Sequence, residues 1–332
     1  MSDHLFSNKN IASSKHSLLA LTVAALLAMT GLSACSSPDA ASSLANNDTV
    51  SVDTIDIDTV KGKVSLAINP APLVVYDMTL MQDLAALDVA IAGMPSDLPL
   101  DNLQSKNQPE PKAVGTVFEP DLEALNAMQP QAILVGSRMA EKYDALSSIA
   151  PTLDMTIDTA NIYESSKQRL LDLGALFDKS AQAATLQGNI DSLIDETKAV
   201  TKDKGKGLIV MVNGNKMSTY GEKSRYGFVH TVLDIPMADN QIADARHGQP
   251  ISFEYLQKTN PDWLFVIDRT AAIGEEGIGA KAVLDNPLVA QTNAWSKDQV
   301  VYLSPDSYLA FGGYYQWMQD LTTIRDAFTS AK

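Results

Sequence analysis

The chain has 332 residues, 45% of them hydrophobic and 20% charged, and a formal net charge of −15. Such acidity disfavours nucleic acid and anionic membrane surfaces as partners, so an anionic ligand has to be held by a local cluster of basic side chains. The single cysteine, Cys35, leaves neither a disulfide framework nor a cysteine-ligated zinc site available.

Lys9 and Lys15 precede an uncharged run over residues 17–34 that contains Leu18, Leu19, Val23, Leu26, Leu27 and Met29. A charged segment followed by an apolar one is the pattern of an export signal. At about 18 residues the run nearly reaches the length of a membrane span, but Gly31 and the small residues ahead of Cys35 favour cleavage. The ending Leu32-Ser33-Ala34-Cys35 resembles the lipobox of bacterial lipoproteins, whose cysteine thiol accepts a diacylglycerol. The resemblance implies a signal peptide over residues 1–34 and a mature chain lipidated at Cys35. That chain would be held to a membrane through its lipid alone, in the periplasm or on the outer face of the envelope. Cleavage removes two lysines and one aspartate, which makes the remainder one unit more negative. Residues 35–49, rich in Ser, Ala, Asn and Asp, read as a flexible tether.

About 280 residues follow, enough for two moderate domains or one large one. Alternation in Ile55-Asp-Ile57-Asp and Val64-Ser-Leu66-Ala predicts two early strands forming a hairpin. Beyond it, short apolar runs alternate with helical patterns: Leu73-Val-Val-Tyr, a helix near residues 78–87, Val89-Ala-Ile-Ala, a helix near 122–128, and Ala132-Ile-Leu-Val. A mainly helical stretch spans residues 162–202. Alternation then resumes with Leu208-Ile-Val-Met-Val, helices near 229–233 and 253–258, Trp263-Leu-Phe-Val-Ile and Val300-Val-Tyr-Leu. The pattern predicts an α/β protein of two lobes, residues 50–160 and 206–332, joined by a helical segment over 161–205.

An internal repeat supports two related lobes. The segment from Leu122 to Val135 reappears from Phe253 to Val266, each copy with a Glu opening a helix, a Pro seven residues on and an Arg eight beyond that. Glu123 and Glu254, Pro130 and Pro261, and Arg138 and Arg269 all share an offset of 131 residues; three matches at one offset within a common apolar pattern mark a duplicated unit. Each Arg falls just past the carboxyl end of a strand, where open α/β sheets bind ligands. Facing lobes would aim two guanidiniums into one cleft.

Lys223-Ser-Arg225-Tyr-Gly, Arg246-His247-Gly-Gln-Pro-Ile-Ser, Val266-Ile-Asp-Arg269, Leu284-Asp-Asn-Pro-Leu-Val and Tyr308-Leu-Ala-Phe-Gly-Gly resemble motifs of the periplasmic-binding proteins of iron-complex and vitamin B12 ABC importers. The likeness is strongest to lipoproteins that bind ferric catecholate siderophores. It implies two Rossmann-like lobes joined by a long helix, the class III or cluster A architecture. It also implies a monomeric receptor with no intrinsic cofactor, whose ligand is a ferric siderophore and whose partner is an ABC permease dimer. Matched motif by motif, Arg138, Arg225 and Arg269 correspond to arginines around the anionic complex, and His247 and Tyr308 to a pair that ligates iron. Glu123 and Glu254 correspond to docking points for the permease; as first-turn carboxylates they also suit the helix dipole.

The chemistry is coherent. A tetradentate bis-catecholate gives ferric iron four oxygens and leaves a complex of charge −1 with two open positions, which a Tyr phenolate and a His nitrogen can fill. Arginine suits the surrounding shell because it stays charged and donates in a fork to flat oxygen pairs. His230 lies within a predicted helix and reads as structural. Gly274, Gly277 and Gly279 lack a phosphate-loop Lys-Ser/Thr and read as a mobile loop. No Gly-x-Ser-x-Gly elbow or His-Glu-x-x-His motif is present, so an enzyme is not expected. Haem or another metal chelate on the same scaffold, and a non-transport lipoprotein or enzyme that retains the fold, are the alternatives.

Overall fold

The computed structural model describes residues 53–96, 98–99, 103 and 109–331; Cys35, the expected signal peptide and the tether lie outside them. The described chain opens with the expected antiparallel hairpin, β1 (Thr54–Thr59) and β2 (Gly62–Ala67). Ile57 and Leu66 pack into a first core. On the outer face Asp56 accepts from the Ser65 hydroxyl and Asp58 lies 3.5 Å from Lys63.

A first sheet follows, built from β3 (Leu73–Val75), β4 (Gly93–Met94), β5 (Lys112–Ala113), β6 (Ala132–Val135) and β7 (Thr152–Asp154). All of its neighbours are parallel, in the order β5-β4-β3-β6-β7. Its central strands β3 and β6 are buried throughout, which is why they read as unbroken apolar runs. Helices α1 (Met78–Ala86), α2 (Leu122–Met128) and α3 (Tyr143–Ser147) connect them. The expected strand at Val89-Ala-Ile-Ala is displaced to β4. Asp88 takes a left-handed turn (φ 55°) and the Val89 N–H bonds back to Leu84 at 2.9 Å. Val89 and Ile91 therefore seal the end of α1 against the core.

The linking segment folds as two helices, α4 (Ile162–Leu176) and α5 (Ser180–Thr201), separated by Asp178 at φ 53°. They run antiparallel, since Tyr163 donates to Asp191 at 2.7 Å near one end while Gly174 lies against Ala183 near the other. At 22 residues, α5 is about 33 Å long. Its Ala183 belongs to the first core and its Ile190, Leu193 and Ile194 to the second, so this one helix is rooted in both lobes.

The second lobe contains β8 (Gly207–Asn213), β9 (Lys216–Tyr220), α6 (Phe228–Thr231), β10 (Gln249–Ile251), α7 (Phe253–Thr259), β11 (Trp263–Asp268), α8 (Arg269–Ala272), α9 (Ala280–Leu284), α10 (Asn293–Ser296), β12 (Val300–Tyr302), α11 (Asp306–Leu309) and α12 (Tyr314–Ser330). Its sheet, in the order β10-β9-β8-β11-β12, repeats the strand order of the first. One strand differs: β9 returns antiparallel beside β8 through a tight turn at Gly214 (φ 58°), a position where glycine is favoured. The duplicated unit occupies the same place in each lobe, as α2 leading to β6 and α7 leading to β11. Even its caps correspond. Asp121 and Ser252 accept from the backbone N–H of Ala124 and Tyr255, and Gln129 and Asn260 end the two helices in the left-handed conformation.

The lobes meet in a buried polar joint. Arg169 of α4 donates to Asp83 of α1 through Nε at 3.0 Å and Nη2 at 2.9 Å, and also to the Gly312 carbonyl at 2.9 Å. The Tyr314 N–H donates to Asp83 at 2.9 Å and the Gln316 N–H to Gln82 at 3.1 Å. Deeper in α12, Asp320 accepts from Gln316, the Ser304 N–H and the Ser307 hydroxyl. The apolar face of α12 (Trp317, Leu321, Ile324, Phe328) closes the second core. Among the described residues no helix is long and apolar enough to cross a membrane.

Candidate functional site: an arginine-rich cleft

The carboxyl end of the first sheet and the loops of the second lobe line a cavity of about 700 Å³. From the first lobe the turn after β6 contributes Ser137 and Arg138, and the segment after β7 contributes Met155, Thr156 and Ile157. From the second come Tyr220 at the end of β9, Lys223 and Arg225, the loop carrying Arg246 and His247, and Tyr308 with Phe311. Four of the five residues expected around a ligand, Arg138, Arg225, His247 and Tyr308, thus share one lining.

Arg269, the fifth, stands behind Tyr308 and outside the lining. Its Nε donates to the Tyr308 hydroxyl at 2.9 Å and its Nη1 to Asn213 Oδ1 at 3.0 Å, with Glu275 4.0 Å away. Arg138 reaches the Tyr308 carbonyl at 3.4 Å. Arg225 is set among three aromatic rings, its guanidinium 5.1 Å from the centroids of Tyr226 and Tyr308 and 5.3 Å from that of Phe311. Its Nε is buried without a hydrogen-bond partner. An unspent donor in an arginine held this way is poised for an incoming acceptor, because leaving it unmet costs about 1–3 kcal/mol. The Tyr308 ring thus has two guanidiniums near it, Arg225 at 5.1 Å and Arg269 at 5.4 Å from its centroid.

His247 is exposed at the cavity wall, and its backbone is fixed from below. The Tyr220 hydroxyl donates to the His247 carbonyl at 2.9 Å; burial pushes the Tyr220 phenol up, so it remains a donor. Gly248 follows at φ 74° with the Tyr220 ring where a Cβ would be. His230, by contrast, is removed from the lining. Its Nδ1 donates to the Ile235 carbonyl at 2.8 Å, and burial lowers its pKa; the neutral ring serves as packing. Glu123 and Glu254 are exposed in the first turns of α2 and α7, on equivalent corners of the two lobes and outside the cavity.

Residues 73–307 match the family model described as periplasmic binding protein. The chain belongs to that family. As a periplasmic binding protein it is a substrate-binding protein, not an enzyme. Its curated relatives include the petrobactin-binding protein YclQ of Bacillus subtilis, 38% identical over 263 residues that cover 78% of this chain and 82% of YclQ. The ferric-anguibactin-binding protein FatB of Vibrio anguillarum is 36% identical over 253 residues, covering 74% and 79% of the two chains. The crystal structure of YclQ superposes with a TM-score of 0.76 at 35% identity over 83% of this chain and 99% of that one.

Charge distinguishes the cleft of this periplasmic binding protein from its surface. Arg138, Lys223, Arg225 and Arg246 line the cavity and have no ion-pair partner among the described residues. A fifth cation, Arg169, is neutralised by Asp83, and the acidic lining residues are Asp77 and Asp244. Lys223 and Arg246 had lain unassigned inside the recognised motifs, next to Arg225 and His247. Phe311, within the Tyr308 motif, and Phe118, which lies in none of the motifs, also line the cavity. Among the described residues no group of three or more His, Cys, Asp or Glu side chains could hold a metal.

Proposed function

We propose that this protein captures a ferric siderophore in the inter-lobe cleft and delivers it to an ABC importer for iron uptake. The carrying observation is the concentration of four unpaired cations around Tyr308 and His247 in a chain whose net charge is −15. Two relatives, YclQ and FatB, are named for ferric siderophore ligands or their carriers, which supports the same ligand class here. In this scheme Arg138 and Arg225 face the oxygen-rich, anionic complex. Tyr308 and His247 fill iron positions that the siderophore leaves open, with the phenolate charge close to both Arg225 and Arg269. Residues 1–34 direct export, Cys35 carries the lipid and residues 35–49 tether a monomeric receptor. Lobes over residues 50–160 and 206–332, linked by 161–205, offer Glu123 and Glu254 to arginines of the permease dimer.

Titration of the apo-protein with ferric bis- and tris-catecholates and with haem, followed by tryptophan quenching and the visible charge-transfer band, tests this assignment. Submicromolar binding of a ferric catecholate, weakened by Tyr308→Phe and His247→Ala, is the expected result. Unchanged affinity in both variants removes direct ligation, and binding of haem alone removes the siderophore.

A further inference from the structure

Phe118 is the outlier among the large apolar side chains at the cleft. It is 64% exposed, lines the cavity, and has no ring contact among the described residues. Local structure holds it in this position. Thr116 Oγ1 accepts from the N–H groups of both Phe118 and Glu119, at 3.3 and 3.0 Å, and the Thr116 N–H donates to the Glu119 carbonyl at 2.8 Å. Val117 packs against the first core, and Lys142 braces Glu119 at 2.6 Å. A side chain fixed in water by so many contacts to its own turn is presented.

His247 lies ahead of β10 in the second lobe and Phe118 between β5 and α2 in the first, so the two side chains reach the one cavity from opposite lobes. We infer that Phe118 is a ligand contact of the first lobe beside Arg138, an aromatic plate that packs on an aryl ring of the bound ferric chelate and selects aryl chelates over aliphatic hydroxycarboxylate ones. This rests on the ferric-siderophore assignment and adds a specificity residue to it. Burying an exposed Phe against a ring combines apolar transfer with ring geometry, and its loss corresponds to about tenfold in affinity.

The test compares wild type, Phe118→Ala and Phe118→Tyr by quenching titration with the ferric complex of 2,3-dihydroxybenzoate and with ferric citrate. Phe118→Ala should bind the aryl complex about tenfold more weakly, Phe118→Tyr should restore it, and any affinity for ferric citrate should be unchanged. Equal affinity of Phe118→Ala and wild type for the aryl complex overturns the inference. Parallel losses for both complexes, or no recovery in Phe118→Tyr, also overturn it. Wild-type protein that binds neither complex refutes the ferric-siderophore assignment itself, and this inference with it.

Discussion

Replacing Arg169 by Met tests the polar joint between the lobes. Arg169 and Asp83 side chains are 5% and 2% exposed, and the substitution removes two donors from Asp83 and one from the Gly312 carbonyl. Among the described residues only the Tyr314 N–H then remains on the carboxylate. Stranding a buried charge this way costs about 3–5 kcal/mol, or roughly 6–15 °C in melting temperature. The effect depends on pH. Burial, outweighing Arg169, raises the Asp83 pKa to about 6, so the folded protein holds this proton where the unfolded chain has released it. Stability from this group is therefore full below the unfolded value of 3.8 and is lost as pH rises through about 6. Without the guanidinium the folded pKa climbs further, and the loss in Arg169→Met should be several-fold larger at pH 8 than at pH 5. Urea denaturation at both pH values measures it. Replacing Asp83 by Leu as well should return most of the stability, because no charge is left unpaired. A loss below about 1 kcal/mol at pH 8, or one equal at both pH values, would refute the reasoning.

Other outcomes follow from the cleft. Arg225→Gln should weaken binding of a ferric catecholate by about tenfold or more, with a shallower dependence on salt, since a charge-assisted contact is worth about 1.5–3 kcal/mol; titrations at two ionic strengths check this. Gly248→Ala should displace His247, because the new Cβ would meet the Tyr220 ring at 2.7 Å. Loss of affinity with at most about 1–2 kcal/mol of destabilisation is expected from calorimetry. Charge reversal at both Glu123 and Glu254 should leave ligand affinity within twofold, because exposed substitutions away from a site perturb it by less than about 0.5 kcal/mol. Iron uptake in cells should fall. Uptake at the wild-type rate would remove the docking role.

Some of this protein is legible in one dimension because duplication wrote it twice. Glu, Pro and Arg at a shared offset placed α2–β6 and α7–β11, and the structure adds matching caps and left-handed helix ends that no periodicity reveals. Buried parallel strands were read correctly where apolar residues run unbroken, as in β6 and β11. The same logic misplaced β4, since Val89 and Ile91 are apolar for another reason: they seal a helix end whose backbone had already turned at Asp88. Arg138 and Arg269 share a repeat position yet differ in role, one lining the cavity and the other bracing Tyr308. That difference depends on Asn213 and Glu275, which lie far or unremarked in sequence. Phe118 was silent because an isolated exposed Phe has no pattern. The joint was equally hidden, since Gln82 and Asp83 meet residues more than 80 positions away.

The crossing of α5 through both cores, together with the Asp83–Arg169 joint, bears on how cargo leaves. Swinging the lobes widely apart would strip several buried donors and acceptors of their partners at once, so residence time is governed by the contacts in the cleft themselves and not by a door closing over them. Under the proposed function, unloading then comes from work that the importer applies to the two lobes, against a frame stiff enough to transmit it to the cavity floor.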